Sequence, residues 1–264
     1  ASANPAWIVR KTEKTVHFPA KEKTEVLFHL ESRDLKQLDP LPHLSFVYPT
    51  EGWGECRIDR VIPIMRSAKV QRARKPPVID GSLDDACWGA RNRLGSLHGF
   101  TEQCRVEPTA VYLTRDEENL YIGVRCTESE LGSLRTKARL RDSSTLFSDD
   151  CVVIYIDADE KKQVNHFLVI NAAGQIFDQR SEFESGTPRS DYAWDGDWIV
   201  KTGRDDKAWT VEMVLPYEVL EAPSAPGSVW GFNIGRLQAR VDEAVSWQPW
   251  LSIQPSLHGE IILK

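Results

Sequence analysis

The chain has 264 residues, 41% of them hydrophobic and 27% charged, which is ordinary for one large domain, or one medium domain with an appendage. Its net charge of −6 argues against a nucleic-acid binder, because neutralising phosphates takes a basic face. No apolar run approaches the ~20 residues of a membrane span, so a spanning helix is not expected. No signal peptide is visible at the N-terminus, although a mature secreted domain would look the same.

In chain order, residues 1–70 read as a short β-rich segment. Its four strand candidates are Trp7–Phe18, Glu25–Glu31, Leu44–Tyr48 and Cys56–Ile64, interrupted by Pro40, Pro42 and Pro49. Four strands make a thin core, so the segment reads as a partial immunoglobulin-like sandwich or as an extra layer on the main domain. Residues 65–77 carry the basic run Arg72-Ala73-Arg74-Lys75 and then Pro76-Pro77, and they read as a linker. The boundary is therefore expected between residues 70 and 71, with a β-sandwich over 71–264.

Beyond it, Ala110–Thr114 and Leu120–Cys126 form a hairpin around a polar turn at 115–119. The best helix candidate is Glu128–Arg139, weakened by Gly132. Cys151–Ile156 is apolar at every position and is expected as a central strand covered on both faces. His166–Ile170 and Gln175–Asp178 follow around an Asn171–Gly174 turn. Trp198–Thr202 and Trp209–Leu215 bracket a turn at 204–207, Pro216 stops the second of them, and one helical turn is expected at Tyr217–Leu220. Val229–Leu237 and Glu260–Leu263 complete the set. Short strands at short spacing predict an all-β fold, a two-sheet antiparallel β-sandwich of jelly-roll type.

Five cysteines, at 56, 87, 104, 126 and 151, include no CxxC pair, which disfavours a zinc ribbon or a thioredoxin-type site. Cys104 and Cys126 flank the hairpin and could face each other; the alternative is five small buried hydrophobes. Nine tryptophans serve both thick cores and flat ligand platforms.

From residue 78 an ordered set of motifs appears. Val78-Ile79-Asp80-Gly81-Ser82-Leu83-Asp84-Asp85-Ala86-Cys87-Trp88 opens it, followed by Glu118-Asn119-Leu120-Tyr121-Ile122 and by the strand from Asp149 to Asp157. Ile170–Gly174, Trp209–Pro216, Trp230-Gly231-Phe232-Asn233-Ile234-Gly235-Arg236, Ser246-Trp247 and His258-Gly259-Glu260-Ile261 come next. The set resembles carbohydrate-binding module family 9 and its relatives over about three-quarters of the chain. The resemblance implies a two-sheet sandwich, sugar binding without catalysis, and calcium as a structural ion. It further implies a secreted, periplasmic or cell-surface setting and other domains of a larger glycan-degrading enzyme. Two departures stand out. Phe147 holds the place of the sugar-stacking aromatic, and the polar partners expected on the two following strands correspond to Val153 and Leu168.

Sugar recognition needs a flat ring against the pyranose and planar polar groups for its hydroxyls. Trp250, Phe147 and Trp194 are the candidate plates, with a loop tryptophan folded onto the sandwich edge as the rival for Trp250 and Trp194. Gln248 and Arg236 are the candidate polar contacts. For Arg236 a buried ion pair with Glu212 is the competing and stronger reading. Calcium takes six to eight oxygens, and Asp149, Asp150 and Asp157 are its candidate ligands.

Three rival functions compete. A hydrolase would use Asp149, Asp150 and Glu212, but no nucleophile elbow, HExxH or P-loop appears. A haem carrier would have only Met65 and Met213 as methionine ligands, the first in the linker and the second on a core face. A scaffold module that has lost sugar binding follows closely behind the carbohydrate reading.

Overall fold

The computed structural model describes residues 7–9, 30–32, 43–50, 54–61, 65–99, 104–158, 161–248 and 251–264. The chain divides into two compact units, 1–64 and 65–264. In the first, β1 (Trp7–Val9) pairs with β2 (Leu30–Ser32), and β3 (His43–Thr50) pairs with β4 (Gly54–Val61), both antiparallel. The remainder of the four expected strands lies outside the described residues.

The expected boundary at 70/71 moves to 64/65, because residues 67–72 are a strand and not a linker. This strand, β5 (Ser67–Arg72), lies parallel to β17 (Gly259–Leu263) along Ser67–Val70 and parallel to β7 (Thr109–Arg115) at Gln71–Arg72. Its Val70 is fully buried. One sheet follows the order β12 (Thr187–Asp191), β11 (Ile176–Glu184), β10 (Val164–Asn171), β9 (Cys151–Asp157), β15 (Val229–Gln238), β17 and β5. The other continues from β5 through β7, β8 (Asn119–Thr127) and β14 (Ala208–Pro216) to β13 (Ile199–Arg204). Two short strands, β6 (His98–Gly99) and β16 (Glu243–Ser246), extend from β15. The fold is all-β with two sheets, but β5 makes the set mixed and links one sheet to the other, so it is not a purely antiparallel jelly roll.

The alternating sequences place the core. Val111, Leu113, Ile122, Val124, Trp209, Val211 and Met213 from one sheet meet Val152, Ile154, Ile156, Ile170, Phe232 and Ile234 from the other. The strand β9 is buried along its whole length. Its even positions enter this core, while Cys151, Val153 and Tyr155 join a second cluster on the outer face, with Leu146, Phe167, Val169 and Phe177. This two-sided burial is what its unbroken apolar run predicts.

The stretch 128–139 is not a helix; only a 3-10 turn at Leu131–Ser133 forms. Side-chain carboxylates take the backbone donors that a helix would use. Asp150 accepts the N–H of Arg135 at 2.8 Å, and Asp149 accepts those of Lys137 and Ala138 at 2.7 and 2.9 Å. All five cysteines are free thiols.

Candidate functional site

The opening motif covers the outer face of the second sheet. Glu212 projects there from β14, with no exposure, and accepts the N–H of Asp80 at 3.0 Å, the N–H of Gly81 at 2.7 Å and the indole N–H of Trp88 at 2.7 Å. Burial raises its carboxyl pKa, and these three donors partly offset the rise. Gly81 has φ +94°, and a Cβ there would lie 2.8 Å from the Thr202 carbonyl. Glu212 is therefore a structural anchor and does not face Asp149 or Asp150, which removes the proposed hydrolytic trio.

Arg236 projects from β15 into the interior. Its partner is Glu128 at 3.2 Å, not Glu212, and it also donates to the Thr127 carbonyl at 2.7 Å. Glu128 is itself buried and accepts from Gln238 and from Arg240. Burial pushes its carboxyl up, but the N–H of Glu130 and the contacts from Gln238 and Arg240 outweigh this and leave it below the ordinary range. With 0% exposure, Arg236 offers nothing to a ligand. Gln248, at 1%, is equally sealed, and its backbone N–H donates to Asn233 Oδ1 at 2.8 Å.

Among the aromatic candidates, Phe147 is open. It lies in a 3-10 turn, Ser144–Ser148, whose Leu146 is fully buried in the outer cluster. Phe147 stacks on Phe167 at 5.9 Å and meets Phe177 edge-on at 5.0 Å, yet stays 38% exposed. It lines a groove of about 500 Å³ together with Arg135, Ser148, Leu237, Asp242 and Glu243. Asp150 holds both banks of this groove, accepting from Arg135 on one side and from the N–H of Ala239 at 3.0 Å on the other. Glu243 is engaged by the backbone N–H of Arg105 at 2.6 Å and its Nε at 2.8 Å, which keep its carboxyl below the usual range. Trp194 is half-buried, packed on the main core and tilted against His166 at 5.0 Å, so it is folded onto the sandwich edge. Trp250 lies outside the described residues.

The two apolar departures fall on different faces. Val153 pairs with Val169 in the outer cluster, whereas Leu168 pairs with Ile154 and lies in the main core. The residue that shares the face of Val153 is thus Val169, and neither is polar.

Asp149 and Asp150 are consumed by backbone donors, and Asn171 Nδ2 adds a third contact to Asp149 at 2.9 Å. Asp157 is buried at the far end of β9. Among the described residues, the acidic group that the fold gathers is instead Asp142, Asp178 and Asp195, with ligand oxygens within 4.8 Å of one another. Such a set of oxygens suits a hard cation. Arg141 now supplies the countercharge, reaching Asp178 at 2.7 Å and Asp195 at 2.6 Å, while Trp198 Nε1 donates to Asp178 at 2.8 Å. Burial, with Asp178 and Asp195 adding to it, raises the Asp142 carboxyl despite Arg141 and the Asp178 N–H. The spacing of 142, 178 and 195 gives no sequence signal; only the loop between β8 and β9, the strand β11 and the loop before β13 bring them together.

No curated protein matches the chain. Two structures of a carbohydrate binding module family 9 from Caldicellulosiruptor kristjanssonii are similar to it. The one in complex with cellotriose has 19% identity and TM-score 0.54, covering 75% of this chain and 94% of that one. The one in complex with glucose has 20% identity and TM-score 0.52, covering 75% and 96%. A Bacteroides uniformis protein has 11% identity and TM-score 0.60, covering 76% and 100%. These likenesses are of fold. Residues 79–264 match the model of the carbohydrate family 9 binding domain-like family. The chain belongs to that family, as a non-catalytic carbohydrate-binding module.

Proposed function

We propose that the groove beside Phe147 binds the end of a neutral oligosaccharide, with the phenyl ring as its plate. The observation that carries this reading is the exposed ring, packed on Phe167 and Phe177 at the edge of a groove lined by Arg135, Ser148 and Asp242. A guanidinium donates, a carboxylate accepts and a hydroxyl does both, which together match a sugar diol. Trp250, three residues past Trp247 in sequence, is the second proposed plate. The cellotriose and glucose complexes of the similar Caldicellulosiruptor module support the ligand class. The family also supports an extracellular setting within a larger glycan-active protein.

Calorimetric titration of gluco- and xylo-oligosaccharides tests this. Phe147→Ala is expected to weaken binding roughly tenfold, equivalent to ~1.4 kcal/mol. Equal affinity in the variant removes Phe147 from the site.

One observation favours a second reading, a scaffold without sugar binding. Val153, Phe167 and Val169 form a sealed apolar patch under Leu251 and Ile253. No heat with any glycan would support it.

Calcium belongs to the same proposal, at Asp142, Asp178 and Asp195. Binding there requires Arg141 to leave the three carboxylates, because guanidinium and cation compete for the same oxygens.

A further inference from the structure

The chain carries a net charge of −6, yet residues 65–77 hold five basic side chains and no acidic one. Within this run, Val70 of β5 enters the core, so Lys69 and Gln71 point to the opposite, outer face. Gln71 pairs with Thr114 of β7. Tyr112, two residues earlier on β7, shares that outer face, because its neighbours Val111 and Leu113 lie in the core.

Two further cations fold against this strip. After Trp88 comes a 3-10 turn, Ala90–Asn92, pinned by Asn92 Nδ2, which donates to the Cys87 carbonyl at 2.8 Å. The chain then runs antiparallel beside β7: Arg93 stands opposite Tyr112, and the Leu94 N–H donates to the Val111 carbonyl at 2.8 Å. β8 occupies the other side of β7, so this contact lies on the β5 side, next to the Gln71–Thr114 pair. Leu94 is buried in the core, which turns Arg93 outward, and Arg91 Nη2 reaches Gln71 Oε1 at 3.4 Å. Lys69, Arg91 and Arg93, all exposed, thus share one strip with the half-buried Gln71 and Tyr112.

The carboxylates nearest in the fold are engaged elsewhere or stand at the end of the strip. Glu117 pairs with Arg72 at 2.8 Å, Asp116 accepts from the Tyr121 hydroxyl, and Asp85 accepts the N–H of Val78 at 2.9 Å. Glu260 of β17 lies opposite Ser67, two residues before Lys69. Among the described residues, no ion pair neutralises Lys69, Arg91 or Arg93. Three like charges on one face of an acidic chain form a local positive field that attracts fixed negative charge. Guanidinium forks match carboxylates in bidentate geometry, while the Gln71 amide and the Tyr112 hydroxyl suit sugar hydroxyls.

We propose that this strip is a docking surface for an acidic polysaccharide, whose uronate carboxylates meet Lys69, Arg91 and Arg93. The class of partner rests on the carbohydrate reading of the chain, but the surface is separate from the one proposed above. Its residues belong to β5, β7 and the segment 91–93, none of which lines the Phe147 groove.

Affinity electrophoresis and calorimetry of the full chain with polygalacturonate test this. Binding is expected to saturate, to weaken as salt is raised, and to vanish with the fully methyl-esterified polymer, which has lost its charge. Arg91→Gln combined with Arg93→Gln should weaken it about tenfold. Arg74→Gln combined with Lys75→Gln removes the same charge from the neighbouring run and should leave the affinity within about twofold. No binding of polygalacturonate overturns the proposal. So does an equal loss in the two double variants, or equal affinity for double-stranded DNA, since either marks unspecific attraction of a polyanion. A loss confined to Phe147→Ala places the polymer in the groove and also overturns it. Cellotriose titrated in parallel separates the two surfaces: binding of polygalacturonate alone keeps the strip and strikes the groove, and binding of cellotriose alone does the reverse. Should the Arg91 and Arg93 double variant fail to give a cooperative melt, Lys69→Glu replaces it, with the same loss expected.

Discussion

Glu212 shows how a single buried carboxylate can hold a motif in place. Its three donors come from residues more than 120 positions earlier, so the opening Asp80-Gly81 turn and Trp88 are fixed by one side chain. Trp88→Phe keeps most of the apolar bulk and removes one donor to a buried charge. It is expected to cost about 1–3 kcal/mol in urea unfolding, and a loss below ~0.5 kcal/mol would show that the indole N–H is dispensable. His258 sets a pH dependence. Burial lowers its pKa from 6.5 to about 4, with Lys162 adding to the effect and the Ser252 carbonyl opposing it. The folded chain therefore refuses a proton that the unfolded chain accepts between these values. Stability should fall as pH drops from about 6.5 toward 4 and then level off, by on the order of 3 kcal/mol. His258→Asn should flatten this slope in denaturation curves measured across that window.

Among the elements, β5 is the clearest case in which neighbours and not propensity decide. Ser-Ala-Lys-Val-Gln-Arg carries one strong β former, and the basic run after it has a linker's composition. Yet Val70 enters the core and the backbone bonds to both β17 and β7. A fragment 65–264 is expected to unfold cooperatively, whereas 73–264 should lose near-UV ellipticity, because β17 and β7 would each expose an edge. A cooperative 73–264 would contradict the linking role of β5. The 128–139 segment fails as a helix for a related reason: Asp149 and Asp150, more than ten residues on, claim its N–H groups. The hairpin of β7 and β8 and the buried β9 were legible because their signals, alternation and an unbroken apolar run, are local.

At the scale of the whole molecule, the acidic trio gives a direct test of the ion. If calcium replaces Arg141 at Asp142, Asp178 and Asp195, millimolar calcium should raise Tm by several degrees, and Asp178→Asn should remove the rise. An identical Tm with calcium and with chelator would leave Arg141 as the sole countercharge. The sequence by itself determined the all-β class, most strands of the larger unit and the family, since period-two alternation and ordered motifs are written along the chain. Only the tertiary structure decided that Arg236 meets Glu128, that Val153 and Leu168 face opposite ways, that β5 joins the sheets and that Phe147 stays open. Each of these depends on which distant strand or loop lies alongside, and side-chain burial and pairing follow from that register, not from local composition.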